Sequence, residues 1–197
     1  MRKLNLLSVE NTLREKGIKI FTVLEFERIF SVSKTAAKKF LENYTKKGFF
    51  SRPRQSFYVT NFNPPGSFLI ANKIYWPSYI SFETALSFYH IIFETVSAVT
   101  SATPRASRQF RSGEQVFSYS TIKKDVYSFY TPTIILNETI LIAEKEKAIA
   151  DFLYFVAMGK KNIPDRFNLT KINKKLLLRY IPYYNFRPLE RLIKNVI

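Results

Sequence analysis

With 197 residues, no cysteine, one histidine and a formal net charge of +16, the chain has no material for disulfides, thiol chemistry, Cys-ligated zinc or a His-rich metal site. Hydrophobic residues make up 46%, with 19 Phe and 12 Tyr, enough for a packed core and too much for a disordered tail. A domain this basic usually faces an acidic partner, most commonly nucleic acid.

The N-terminus, MRKLNLLSVE, meets Glu10 before an apolar run of signal-peptide length can form. No run of about 18 apolar residues follows, so no membrane span is predicted and a cytoplasmic protein is expected. The first helix is predicted over Leu4 to Lys16, with Leu4, Leu7 and Leu13 inward and Gly17 as its stop. Thr22 is the predicted N-cap of a second helix to Phe30, whose apolar surface comes from Leu24, Phe26, Ile29 and Phe30. After Ser31-Val32, Ser33 caps a third helix that runs to Lys47. At 3.6 residues per turn its Ala36, Ala37, Phe40, Leu41 and Tyr44 share one face. Lys34, Thr35, Lys38, Lys39 and Glu42 share the other. Phe49-Phe50 and Phe57-Tyr58-Val59 then flank the polar tip SRPRQS, which predicts a hairpin. This order is that of a winged helix-turn-helix.

NFNPPG, residues 61–66, is the expected boundary. It divides a DNA-binding domain over 1–62 from a mixed α/β domain over 67–197, an α+β chain overall. Beyond it, a helix is predicted from Ser81 to Ile91. Strands are predicted over Glu94 to Ala102, Val116 to Tyr119, Val126 to Tyr130 and Ile134 to Ile142. A strong helix covers Glu144 to Met158, with Ile149, Phe152, Leu153 and Val156 inward. A basic, polar stretch from Gly159 to Lys175 precedes C-terminal helices interrupted at Pro182 and Pro188.

Four features bear on chemistry. From Ser33 to Arg54 there are seven basic residues (Lys34, Lys38, Lys39, Lys46, Lys47, Arg52 and Arg54) against Glu42 alone, over three times the charge density of the whole chain. A helix fits the major groove and arginine forks suit phosphates, so this window is the expected DNA contact. In TSATPRASRQFR, residues 100–111, Arg105, Arg108 and Arg111 stand among hydroxyls in a predicted loop suited to phosphate groups of nucleic acid or nucleotide. In AEKEKAIADFLYF, residues 143–155, Glu144 and Glu146 occupy a first helical turn, where the dipole favours carboxylates. No Asp or Glu has Lys at i+2 and the three aspartates do not cluster, so capping and a buried stripe explain that segment better than a metal-dependent nuclease. His90 in LSFYHIIF reads as a core or interface residue. No phosphate-cradling glycine motif or nucleophile elbow is present, so neither cofactor nor metal is expected.

The chain resembles the AbiEi-type antitoxins, transcriptional regulators found with abortive-infection (viral defence) modules. The resemblance rests on SVSKTAAKKFLENYTKKGFFSRPRQSFYVT, ISFETALSFYHII, VTSATPR, YSTIKKDVYSFY and IAEKEKAIADFLYF, taken in order. It departs at IIFETVSAV, where relatives carry glycine. The resemblance implies a winged helix that binds an inverted-repeat operator and represses its own operon, acting on DNA as a monomer or dimer. It also implies that the C-terminal domain counteracts a nucleotidyltransferase-like toxin. By position, DNA contact falls on Ser33, Lys34, Thr35, Lys38, Lys39, Arg52 and Arg54. Thr100, Arg105, Glu146, Lys147 and Asp151 match family-like pieces and, with Arg108, form a candidate C-terminal surface without assigned roles. The leading expectation is thus a non-enzymatic antitoxin. Two alternatives stay open: a plain regulator without a toxin, and a C-terminal domain with phosphotransfer or nucleic-acid-processing activity, using the Arg105–Arg111 loop and the Glu144–Asp151 helix.

Overall fold

A computed structural model of the chain describes residues 4–94, 96–170 and 172–196. Among them lie eight α-helices and two sheets, so the protein is mixed α+β. The buried apolar side chains form two clusters, one from Val9 to Tyr58 and the other from Ala71 to Ile193, with residues 61–66 between them.

The N-terminal unit begins with helix α1 (Leu6–Glu15), capped by the Asn5 carboxamide. Its inward row is Val9 and Leu13; Leu7, expected inward, lies off that row and is exposed. Strand β1 (Ile20–Thr22) follows, where the sequence pattern predicts no strand. Helix α2 (Val23–Phe30) starts from a full capping box, in which Thr22 accepts from the Glu25 backbone and the Glu25 carboxylate accepts from Thr22. Val23 and Phe26 fill the core, whereas Leu24 points outward. Ser31 closes α2 in the left-handed region at φ 51, and the chain turns into helix α3 (Lys34–Lys46), N-capped by Ser33. Ala37, Phe40 and Leu41 bury the predicted face of α3. Strands β2 (Phe50–Arg54) and β3 (Phe57–Thr60) form the hairpin, and β1 adds to its far side in the order β1-β3-β2.

In the C-terminal unit, helix α4 (Ser67–Ile74), strand β4 (Tyr79–Ile80) and helix α5 (Phe82–Phe88) lead into strand β5 (Ala98–Thr103). Thr95, inside the strand predicted from Glu94, lies outside the described residues, as does Lys171 in the predicted polar stretch. Strands β6 (Arg108–Ser112), β7 (Gln115–Thr121), β8 (Tyr130–Ile135) and β9 (Glu138–Ala143) complete a sheet ordered β6-β7-β5-β4-β9-β8. The predicted strand at Val126 is instead a 3₁₀ turn over Lys124–Val126. The single strand predicted from Ile134 to Ile142 is a hairpin. Leu136 and Asn137 both take positive φ (49 and 62), and β8 pairs antiparallel with β9 across them, the backbone a two-residue turn of right-handed twist requires.

Helix α6 (Lys145–Ala157) is buried from Glu146 through Phe155, on every side rather than along a stripe. It is packed between α5 and β9 on one hand and α7 (Lys174–Tyr180) and α8 (Arg187–Val196) on the other, which encloses Glu146, Lys147 and Asp151 together with its apolar side chains. His90 is exposed just past α5 and is not a core residue.

A carboxylate fastens the two units. Glu138, 8% exposed, accepts from Lys19 Nζ at 2.7 Å and from the Gly66 backbone at 2.9 Å. Glu138→Ala strands both donors, and a lost buried acceptor costs about 1–3 kcal/mol. The expected result is a lower urea midpoint at unchanged slope; an unaltered midpoint removes Glu138 from the junction.

Candidate nucleic-acid interface

Burying Ala37, Phe40 and Leu41 leaves the opposite face of α3 outward. Two adjacent rows cross it, Lys34–Lys38–Glu42 and Thr35–Lys39–Asn43, all exposed. Lys34 and Lys38 are like charges one turn apart, an arrangement that costs a few tenths of a kcal/mol in an isolated helix. None of Lys34, Lys38 and Lys39 forms an ion pair among the described residues. Ser33 is exposed at the start of the face, with its hydroxyl accepting the Ala36 N–H at 3.3 Å. Arg52 is exposed on β2, its guanidinium 5.7 Å from the Tyr58 ring centroid.

Arg54 departs from the expected set. Its Nη1 donates to the carbonyl of Ile74, and its guanidinium lies over Phe57, Tyr75 and Phe110, with the last two in the C-terminal unit. It fastens the hairpin to the larger sheet instead of standing on the outer face with Arg52. The physical reason is the aromatic floor: a guanidinium stacks on rings while keeping in-plane donors for a backbone carbonyl.

The candidate C-terminal surface does not hold together as a surface. Lys147 and Asp151 are both 0% exposed, one turn apart on α6. Lys147 donates to Asp151 Oδ1 and, at 2.9 Å, to the Tyr184 hydroxyl. Tyr184 donates to Asp151 Oδ1 at 2.6 Å, while Tyr79 and Ser81 donate to Oδ2 at 3.0 and 2.8 Å. One buried carboxylate thus accepts four hydrogen bonds, the condition under which a buried charge is tolerated. Burial lowers the Lys147 pKa from the ordinary lysine value, with Asp151 opposing, and it raises Tyr79 and Tyr184 well above the usual phenol value. Glu146, 6% exposed, accepts the backbone N–H of Asn173 at 2.8 Å and so anchors the start of α7. Thr100 performs a capping duty across the fold. Ser81 holds the N-cap position of α5 but gives its hydroxyl to Asp151. The Thr84 N–H is taken instead by Thr100 Oγ1 at 3.0 Å, which also donates to the Ser81 carbonyl at 2.7 Å. Glu146, Lys147 and Asp151 are therefore core residues, and Thr100 is a structural residue of the α5–β5 contact. Capping beside a buried apolar stripe, the sequence reading of AEKEKAIAD, misses this network because the partners that enclose it, Tyr79, Ser81 and Tyr184, are distant in sequence.

Arg105 and Arg108 are exposed. Arg108 and Arg111 stand on edge strand β6 rather than in a loop, paired opposite Tyr119 and Val116 of β7. Arg105 lies in the connection before β6, donates to the Trp76 carbonyl at 2.8 Å, and sits 4.7 Å from the Tyr75 ring centroid. Among the described residues no three His, Asp or Glu side chains converge as metal ligands, and no helix is long and apolar enough to cross a membrane. No protein-family model matches the chain, and no curated protein matches it closely enough to count as a relative.

Proposed function

We propose that the chain is a DNA-binding autorepressor of the antitoxin type, in which α2, the Ser31–Ser33 turn and α3 act as a helix-turn-helix and the β2–β3 hairpin as its wing. The observation that carries this reading is the outward face of α3 bearing Lys34, Lys38 and Lys39, none with a carboxylate partner among the described residues, on a helix whose other face is buried. With Arg52 on the hairpin, four exposed cations face outward where a duplex would supply phosphates. Ser33, Thr35 and Asn43 add short polar groups on the same side. Arg54 does not stand on this outer face with Arg52, because its guanidinium is turned to the junction with the C-terminal unit. Operator DNA with an inverted repeat would be spanned by two copies.

The toxin-directed half of the proposal rests on the resemblance of the C-terminal segments to the antitoxin family. The enzymatic alternative loses support from the burial of the residues it would use. Asp151 and Lys147 are enclosed in a completed hydrogen-bond network, so no substrate atom reaches them without unfolding that core.

A duplex from the chain's own upstream region, titrated by fluorescence anisotropy, tests the reading. Lys38→Ala is expected to weaken binding about tenfold at 0.1 M salt and to flatten the log–log salt slope by about one unit. An unchanged slope takes Lys38, and the α3 face with it, out of the interface.

A further inference from the structure

We infer that the seam between the hairpin and the edge of the six-stranded sheet is a second anion site, built to take a phosphate group. Arg54 of β2, Tyr75, Arg105, Arg108, Gln109 and Phe110 line a recess of ≈ 510 Å³ there. The size falls in the range of small-ligand sites.

Three arginines line this recess, and none forms an ion pair with a carboxylate among the described residues. Two are held in place. Arg54 and Arg105 lie 5.4 and 4.7 Å from the centroid of the same Tyr75 ring, and each spends an Nη1 hydrogen bond on a backbone carbonyl, that of Ile74 or of Trp76. The ring is itself fixed, since the Tyr75 hydroxyl donates to the Ala106 carbonyl at 2.8 Å. A guanidinium carries five N–H donors, so each anchored arginine keeps donors to spare. Arg108 is exposed, and its side chain forms no hydrogen bond to the described residues. Grouping positive charges on an aromatic floor raises their mutual repulsion, and an anion that accepts from two or three forks at once relieves it. A phosphate matches that fork geometry best.

The site also joins two elements that the proposed function treats separately. Arg54 shares β2 with Arg52, whereas Arg105 and Arg108 belong to the C-terminal unit. The phosphate can come from two sources: the backbone of a bound duplex, which would extend the footprint from the hairpin onto β6, or a free nucleotide. The first source rests on the proposed DNA-binding reading; the second does not.

The full chain and the Arg108→Gln variant are compared in two titrations. The Arg108 side chain is exposed and forms no hydrogen bond or ion pair among the described residues, so the variant is expected to fold. Calorimetric titration with inorganic pyrophosphate at low salt is expected to saturate at one site and to weaken at least tenfold in Arg108→Gln, with Lys38→Ala unaffected. Emission from Trp76, the sole tryptophan, gives a local reporter because Arg105 holds its carbonyl. In the duplex titration, a salt slope flatter by about one unit in Arg108→Gln assigns the site to the nucleic-acid backbone. An unchanged slope beside Arg108-sensitive pyrophosphate binding assigns it to a free phosphorylated ligand. The inference is overturned when neither titration responds to Arg108→Gln. A chain that binds no duplex at all sinks the DNA-binding reading but leaves the pyrophosphate result to stand or fall alone.

Discussion

Asp151→Ala is expected to lower the stability of the C-terminal unit by about 3–5 kcal/mol, the range for removing one partner of a buried ion pair. The cost has two parts. Lys147, fully buried, loses its counter-charge, and the hydroxyls of Tyr79, Ser81 and Tyr184 lose the acceptor they share. In a chain of this size each kcal/mol moves the melting temperature by about 2–4 °C, so a fall of roughly 10 °C is expected. Replacing both charges at once, Lys147→Met with Asp151→Leu, is expected to recover part of the loss, because no unpaired charge then remains. It recovers only part, since three hydroxyls still lack an acceptor. Thermal and urea unfolding followed by circular dichroism measure both variants. A single substitution costing under about 1 kcal/mol contradicts the description of this centre as a core ion pair.

The same burial sets an alkaline limit. Tyr79, Tyr119 and Tyr184 are at most 1% exposed, and burial raises all three above the ordinary phenol value. A raised folded pKa leaves stability intact below the unfolded value near 10 and removes it as pH climbs beyond, because only the unfolded chain sheds these protons. Each tyrosine contributes about 1.4 kcal/mol per pH unit, so the three together contribute about 4. Lys147 acts in the opposite sense. Its folded pKa is lowered, so its penalty is greatest at low pH and is relieved as pH rises to the ordinary lysine value near 10.5. Above that point only the tyrosine effect remains. Cooperative unfolding is therefore expected on the alkaline side of the ordinary phenol and lysine values, with tyrosinate absorbance and loss of circular dichroism rising together. Tyr119→Phe, which gives up the bond to the Ala71 carbonyl but no titrating partner, is expected to reduce the slope by about a third. All twelve tyrosines titrating near pH 10 with the fold unchanged would contradict the burial of this set.

Periodicity reveals local structure here and misses what distant residues decide. The buried face of α3 was legible because Ala37, Phe40 and Leu41 repeat at helical spacing between the Ser33 cap and Gly48, the glycine that follows Lys47. The Thr22 cap was legible from the same kind of signal. The hairpin at Leu136-Asn137 was not, because its two-residue turn carries no glycine or proline and puts a leucine, a residue that rarely takes positive φ, at its first position. Arg54 and Arg52 look alike two residues apart; only the approach of Tyr75 and Phe110, 21 and 56 positions on, separates a fastening residue from an exposed one. Lys147 and Asp151 present the spacing of an ordinary surface pair, and their burial depends on tyrosines on either side of α6 in the sequence. The basic α3 face could be read from the chain itself, whereas the seam recess required the fold.

The most direct measurement of the proposed role is the affinity of the full chain for its own upstream duplex across a series of salt concentrations. Four exposed cations, Lys34, Lys38, Lys39 and Arg52, each displacing about 0.9 counterion, predict a log–log slope of about −3.6 for one bound copy, steeper if the seam arginines join. A flat dependence, or no binding at the lowest salt, contradicts it.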